Sequence, residues 1–480
     1  MKRCSTTVAH RPNIIFVFVD DLGWGDLACY GNLFCQTPNL DRMADNGILF
    51  EQFYVNAPLC SPSRAAVLTG RFPARSGIHY WMDPGHNRLY GMPDFLDLEA
   101  ATIPRLLQQG GYRTAHFGKW HVGENPQAPV AAYGFDEVDY VWQGVGPNPG
   151  VPADDPHGTE RLVDRTIRFM HDCLADGAPF YVNLWPRDVH AALRPTEESL
   201  ARYAHLMSGG TYRTAMQIYY AAVTEMDIQL GRLLSAIDAI PGLARNTLVI
   251  FSSDNGPEDI YIAHAGHHAA GLPGPFRGRK RSLYEGGIRM PFIARWPDRI
   301  APGVVDRSSV IGAVDLLPTF CALAGIGLPP DFTPDGEDVS RTLLFDEPHV
   351  RKKSLCWEWR FDGVGPCINR SPMLAIRSGP WKLLLNPDGS RIELYDIPRQ
   401  PMELHSQADR HPAIVRNLTD EVLQWQASLP KGPASDRPGS DQYPGNPENA
   451  GRGPRMDLES YGRIMQPIRV RVTQEDALKD

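Results

Sequence analysis

Asp20 and Asp21 close the run NIIFVFVDD, and Asp254 and Asn255 close the run TLVIFSSDN. Three carboxylates and an amide are hard oxygen donors, the set that suits Ca2+ or Mg2+, and no cysteine or histidine grouping carries zinc spacing. Either pair by itself reads more simply as a turn, with Asp20 and Asp21 closing a loop and Asp254-Asn255-Gly256 forming a bend. Should the two runs lie side by side, the four groups converge, and crowded like charges need a compensating cation.

The cations and imidazoles that could join such a site are Arg64, Lys119, Lys280, His121 and His190. By default lysines and arginines belong to solvated faces, the RGRKR run at 277–281 included, and one histidine is as readily structural as functional. Against that default, RGRKR lies between a Pro-Gly-Pro turn and SLYEGGIRMP, a turn-rich approach to an apolar run from which a loop can point Lys280 inward. A metal and several fixed cations in one pocket suit a tetrahedral oxyanion, a sulfate or a phosphate.

The nucleophile is sought at NAPLCSPSRAAVLTG, where Cys60 stands at the expected start of a helix, followed by a proline-set turn and Arg64. A buried structural cysteine has no use for those neighbours, whereas a reactive group at a helix N-terminus does. No G-x-S-x-G elbow and no P-loop is present, so a serine-hydrolase or nucleotide-cradle reading has no support. A Cys60 thiolate paired with His121 or His190 is one option. A thiolate is soft, however, and an oxygen nucleophile matches a hard metal better.

The elements that must position these groups follow from periodicity. Ile14 to Val19, Phe180 to Trp185, Thr247 to Phe251 and Pro291 to Arg295 are continuous apolar runs, the pattern of strands buried on both faces, and YRTAHFGKWHVG is a shorter, more polar example. Helical stripes lie between them at Thr102 to Gln109, Arg161 to Ala175, Tyr212 to Ile240 and Ile311 to Ala324. Alternating strands and helices predict an α/β fold with a mainly parallel sheet covered on both faces, whose ligands bind beyond the carboxyl ends of the strands. The polar residues collect there: Asp20, Asp21, Lys119, His121, His190, Asp254 and Asn255 each follow an apolar run. From about residue 355 the pattern changes to short strand-like runs with a hairpin signal at Asn386 to Gly389, then an amphipathic helix at Ile414 to Ser428. The expected organisation is a main α/β domain over 1–354, a small antiparallel sheet with one helix over 355–430, and a tail over 431–480 rich in Pro, Gly and charge.

At 480 residues, 42% of them hydrophobic and 22% charged, the chain can bury a large core. Its 43 prolines and 44 glycines predict long, shaped loops. A formal charge of -8 argues against nucleic acid as a partner. The eight cysteines are scattered without CxxC spacing; Cys356 and Cys367 could bridge a loop, the rest reading as small hydrophobes. No apolar run is long enough to cross a bilayer and no signal-peptide h-region follows the basic start, so the expectation is no membrane partner and a cytoplasmic location for the chain as written, periplasmic or secreted if a leader is missing.

CSPSR followed by AAVLTGRFPARSG resembles the signature of the type I, formylglycine-dependent sulfatases of the alkaline phosphatase superfamily, a group that includes arylsulfatases and N-acetylgalactosamine-6-sulfatases. NIIFVFVDDLGWGDLACYG, GYRTAHFGKWHVG, SSDNG, FRGRKRSLYEGGIRMPFIARWP and GPWKLLLNPDGSRIELYDI are similar to that family and follow in its order. The resemblance implies an alkaline-phosphatase-like fold and conversion of Cys60 to formylglycine by a formylglycine-generating or anaerobic sulfatase-maturating enzyme. It implies one divalent ion, Ca2+ ahead of Mg2+, held by Asp20, Asp21, Asp254, Asn255 and the modified Cys60. Arg64 would stabilise the aldehyde hydrate whose hydroxyl attacks sulfur, Lys119 and Lys280 would clamp the sulfate, His190 would protonate the departing alcohol, and His121 would take the proton that lets the aldehyde re-form. The implied activity is sulfate ester hydrolysis on an aryl sulfate or, by the analogy of GPFRGRKRSLYEGG, a sulfated carbohydrate. The alternatives are a phosphonate or phosphate ester hydrolase of the same superfamily, or a sulfated-glycan binder if Cys60 stays unmodified. Loops at 126–156 and 258–275, with His264, His267 and His268, are expected at the pocket rim, and Trp357 and Trp359 either stack on a sugar there or pack in the core.

Overall fold

The β-branched run Asn13–Val19 (β1) forms the central strand of the larger sheet, and its alternation explains why the sequence is apolar throughout. Ile14, Phe16 and Phe18 enter the core on one face of the sheet, while Ile15, Val17 and Val19 enter the core on the other. Every one of the seven is buried, at about 1.5–3 kcal/mol for each large apolar side chain. In this computed structural model the described residues are 11–123, 125–140, 158–207, 213–259, 266–345, 347–363, 365–435 and 438–441. The expected tail from 442 onward and the second half of the loop at 126–156 lie outside them.

The remaining strands of this sheet are β2 (Ile48–Tyr54), β3 (Arg113–Gly118), β4 (Glu137–Tyr140), β5 (Phe180–Trp185), β6 (Thr247–Ser253), β7 (Arg289–Arg295), β8 (Val304–Asp306) and β9 (Ile311–Gly312). They run in the order β4-β3-β5-β1-β6-β7-β2-β8, with β9 paired to β2. Pairing is parallel throughout except at β7, which is antiparallel to both β6 and β2. The mainly parallel sheet is as expected; the reversed direction of β7 is not visible in an apolar run.

Helices Gly158–Asp176 and Ala215–Asp238 cover the face that receives Ile15, Val17 and Val19. Helices Cys60–Thr69, Ile103–Gln109 and Leu316–Ala324 cover the other. Thr102 caps its helix by accepting from the Arg105 N–H, as its place before an apolar stripe implies. The helix expected from Ile311 begins only at Leu316, because Ile311 and Gly312 pair as β9 with β2.

The smaller sheet is an antiparallel meander of β10 (Leu355–Glu358), β11 (Leu374–Ser378), β12 (Trp381–Leu385) and β13 (Glu393–Asp396). The expected hairpin turns at Asn386, where Gly389 takes φ +80 and donates back to the Asn386 carbonyl. Helix Pro412–Ala427 buries Leu418 and Val422 against the sheet. Leu374, Ile376 and Leu383 belong to the same core as Phe16 and Phe320, so the two sheets share one hydrophobic layer. Trp357 and Trp359 are buried in that layer, and the Trp357 indole donates to the Val55 carbonyl, which assigns both to packing. Cys356 and Cys367 are free, the first buried on β10 and the second exposed, so they form no bridge.

Candidate active site

Four adjacent parallel strands, β3, β5, β1 and β6, end on one edge of the sheet, and each delivers a polar group there. Backbone bonds just past the last strand residue lock the order: Lys119 N donates to Trp185 O (2.9 Å) and Asp254 N donates to Val19 O (3.0 Å). Gly118 makes this approach feasible. It takes φ +116, and a Cβ there would lie 2.1 Å from the Trp185 carbonyl oxygen. The edge therefore gathers Asp20 and Asp21 from β1, Lys119 and His121 from β3, His190 from β5, and Asp254 and Asn255 from β6.

Asp20, Asp21 and Asp254 each present an oxygen within 4.8 Å of the others. Lys119 Nζ donates to Asp20 (2.7 Å), Lys280 Nζ donates to Asp21 (2.6 Å), and Arg64 Nη2 donates to Asp254 (2.6 Å). All six side chains are buried. Arg64 lies against the rings of Phe18 and Trp185, at 5.7 and 5.1 Å from their centroids, an apolar sleeve in which only its charged end finds polar partners. Burial pushes the Asp254 carboxyl up to about 7, with Arg64 opposing and Asp20 adding to the rise. Burial would raise Asp20 too, but Lys119, His190 and Arg64 hold it well below the ordinary carboxylate range.

This donor set fits a hard divalent cation. Two buried oxygens, Asp20 Oδ1 and Asn255 Oδ1, have no hydrogen-bond donor among the described residues, and a buried acceptor left unpaired is costly unless something occupies it. All the donors are oxygen, as Ca2+ and Mg2+ prefer. Cys60 stands outside the three-oxygen group.

Cys60 is the first residue of the helix Cys60–Thr69 and is itself buried. Burial pushes its thiol up, and Lys119 and Lys280 only partly offset this. In the site as it stands those cations do not outweigh burial, which weighs against Cys60 acting as a free thiolate. The Ser61 hydroxyl accepts from the Met82 N–H (3.0 Å) and ties the 78–82 segment to the start of the helix.

Asp21, His121 and Arg281 take φ of +64, +60 and +68, three of the six described non-glycine residues with positive φ. Such conformations cost energy in side chains other than glycine and collect where a fold must aim functional groups. His121 is buried, and burial pushes its imidazole well below the usual range. His190 keeps 25% of its side chain exposed. Its Nδ1 lies 3.0 Å from Ala191 O and its Nε2 lies 3.7 Å from Asp21. The Ala191 carbonyl only accepts, whereas Arg187 Nη2, 3.4 Å from the same Nδ1, only donates; the shorter contact places the proton on Nδ1 and leaves Nε2 bare.

All ten predicted site residues thus meet at one edge, although the lysines expected on sulfate rest on Asp20 and Asp21. Two residues were not read from the sequence as part of this cluster. Glu258 is buried beside Lys280 Nζ (3.5 Å) and bonds Arg281; its only signal is an acid three positions after Asn255. His268, expected at the rim, is buried with Nδ1 3.6 Å from Asp21. His267 is exposed, and His264 lies outside the described residues.

Comparison with known proteins agrees with this geometry. The Sulfatase family model matches residues 12–326, and the model for the C-terminal region of N-sulphoglucosamine sulphohydrolase matches residues 276–428. The chain is 36% identical to human arylsulfatase A, covering 90% of this chain and 92% of that protein. It is 28% identical to an N-acetylgalactosamine-6-O-sulfatase of Bacteroides thetaiotaomicron, over 86% and 92%. The solved structure of Ps i-CgsB in complex with k-i-k-neocarrahexaose superposes with a TM-score of 0.73 at 25% identity, covering 86% of this chain and 92% of that one.

Proposed function

The chain belongs to the sulfatase family and is a sulfuric ester hydrolase, and from that premise we propose that it releases sulfate from a sulfated carbohydrate through an oxidised Cys60. The observation that carries this reading is the meeting of three buried cations, Arg64, Lys119 and Lys280, with the oxygen donors beside Cys60. That combination can hold an anionic ester and a metal together. The carbohydrate class is carried over from relatives named for N-acetylgalactosamine-6-sulfate.

Asp20, Asp21, Asp254 and Asn255 would hold the divalent cation, Ca2+ ahead of Mg2+, together with the modified Cys60. When bound, that ion supplies charge stabilisation to oxygens that gain negative charge in the reaction. Lys119 and Lys280, which donate to Asp20 and Asp21, would bind the sulfate oxygens. Arg64, held by Asp254, would keep its positive charge next to residue 60. His190 would hand a proton to the departing alcohol from Nε2. Burial pushes His190 down to about 3, so it is neutral in the empty site, and the negative charge of a bound ester is what favours its protonation. His121 would accept a proton from residue 60 when the product sulfate leaves. A formylglycine-generating or anaerobic maturating enzyme would be the partner that oxidises Cys60.

The test is peptide mass spectrometry of the fragment containing Cys60, from protein made with and without a formylglycine-generating enzyme, alongside sulfate release. A loss of about 18 Da that tracks activity supports the oxygen nucleophile. A persistent thiol in protein that still hydrolyses the ester overturns it. Comparable turnover of a phosphate or phosphonate ester would redirect the substrate class.

A further inference from the structure

His268 has no role in the reaction as described, yet it is 2% exposed and packed against His190, with ring centroids 5.2 Å apart and planes 81° apart. Its protonation pattern is set by backbone. The Ala191 N–H donates to His268 Nδ1 (2.9 Å), so Nδ1 holds no proton and the neutral ring carries it on Nε2. The Ala191 carbonyl at the same time receives the His190 Nδ1 proton and a bond from Arg187 Nη2 (2.9 Å). One residue's backbone thus gives the two imidazoles opposite tautomers: His190 offers a bare Nε2, and His268 offers an Nε2–H.

That Nε2–H is buried and finds no acceptor among the described residues. Its carrier is held firmly, because Arg279 donates to the carbonyls of Ala269 (2.8 Å), Gly271 (2.7 Å) and Glu258 (2.9 Å) and so pins the loop on both sides. A donor kept buried, oriented and unpaired beside reacting groups is suited to a ligand acceptor. A second metal is a poorer occupant, although Asp21, His190 and His268 lie within 4.8 Å. The His268 Nδ1 lone pair is already used by Ala191, and the Asp21 oxygen nearest both rings already receives the Lys280 ammonium.

We propose that His268 is a substrate-binding residue whose Nε2–H donates to an oxygen of the alcohol portion of the ester, next to the scissile bond, and thereby favours saccharide sulfates over sulfates without a neighbouring oxygen. The assignment rests on the reading of His190 as the group facing the leaving alcohol. His268 Nδ1 lies 3.6 Å from the Asp21 carboxylate to which Lys280 donates, and its ring stands 5.2 Å from that of His190.

The experiment uses calcium-loaded Cys60→Ala protein, which cannot turn over, and titrates N-acetylgalactosamine 6-sulfate and inorganic sulfate by calorimetry. His268→Leu should weaken the saccharide ester about tenfold or more, the loss of one well-placed hydrogen bond, and leave inorganic sulfate within about twofold. His268→Gln, whose amide can place an N–H near the Nε2 position, should restore most of the difference. The inference is overturned if both ligands weaken in step, if the saccharide ester is unaffected, or if the parent protein binds inorganic sulfate and not the saccharide. The underlying reading fails separately, when converted wild-type protein releases no sulfate while His268→Leu still discriminates the two ligands in the binding assay.

Discussion

Two buried charge clusters in this chain use the same residue types and reach opposite ends. At the strand-end edge, Asp20, Asp21 and Asp254 pair with Lys119, Lys280 and Arg64. Between the sheets, Lys382 Nζ lies 2.9 Å from both Glu285 and Glu403, while Glu285 also accepts from Tyr54 (2.7 Å) and Arg289 (3.2 Å). The second cluster ties two packed layers together: Lys382 stands on β12, Tyr54 on β2 and Arg289 on β7. Among the described residues each cluster keeps one carboxylate oxygen without a hydrogen-bond donor, Asp20 Oδ1 in the first and Glu403 Oε1 in the second, but the first stands where strands have ended and adds the Asn255 Oδ1, a bare His190 nitrogen and the His268 N–H. Buried charge alone therefore does not mark a site. Unspent bonding capacity at a strand-end edge does.

The largest contrast is in turnover. Cys60→Ala should lower sulfate release by at least about 10^3-fold, the scale expected for loss of a nucleophile, whereas Lys382→Met should leave turnover per folded molecule within about threefold. Steady-state assays on purified, mass-verified protein check both, and a comparable catalytic loss in the two variants would erase the distinction.

Stability should treat the clusters alike. Arg64→Met strands Asp254, and Lys382→Met leaves Glu285 and Glu403 crowded, so each should cost about 3–5 kcal/mol in urea unfolding. A cost well below 1 kcal/mol at either place would mean that its carboxylates simply take up protons.

Calcium should separate them again. At about 100 times its dissociation constant the ion should stabilise the fold by about 2.7 kcal/mol, and chelation should reverse this. Asp254→Asn should remove most of the effect and Glu403→Gln none of it, as read by thermal unfolding with and without calcium.

The smallest effect concerns pH. Burial pushes Glu403 up to about 7, against the pull of Lys382. An acid whose folded pKa is raised contributes stability that is complete below its unfolded value near 4.5 and lost as pH rises through about 7. Glu403→Gln lacks that slope, so it should gain on the wild type by about 2 kcal/mol between pH 5 and 7. A difference between the two proteins that stays constant over this window would contradict the assignment.

The legible parts of this fold were those with strong local signals. The runs at β1, β5 and β6 show themselves because both faces of each strand are buried, and helix Ala215–Asp238 falls inside the stripe that announces it. The polar residues after each run were legible because parallel strands end on a common edge. Less legible were β2, whose charged Glu51 interrupts the run, and β10, whose tryptophans read either as a rim or as core. Glu258 and His268 escaped for a different reason: a buried acid in a loop and one of several loop histidines look the same in sequence wherever they point.

Residue types and order were sufficient to establish a mainly parallel α/β fold and oxygen donors suited to a hard cation, since those follow from local periodicity and ligand chemistry; the reading of Cys60 as the cysteine of a maturation segment came from its resemblance to the sulfatase signature. Only the tertiary structure decided which charge rests on which. Lys280 and Asp21 are 259 positions apart, and nothing local relates them. Strand order put them in contact, burial raised the thiol of Cys60 instead of lowering it, and the backbone of Ala191 gave His190 and His268 their opposite tautomers. In a buried site, the partners within about 3 Å determine what a titratable group can do, and proximity on that scale is a property of the fold.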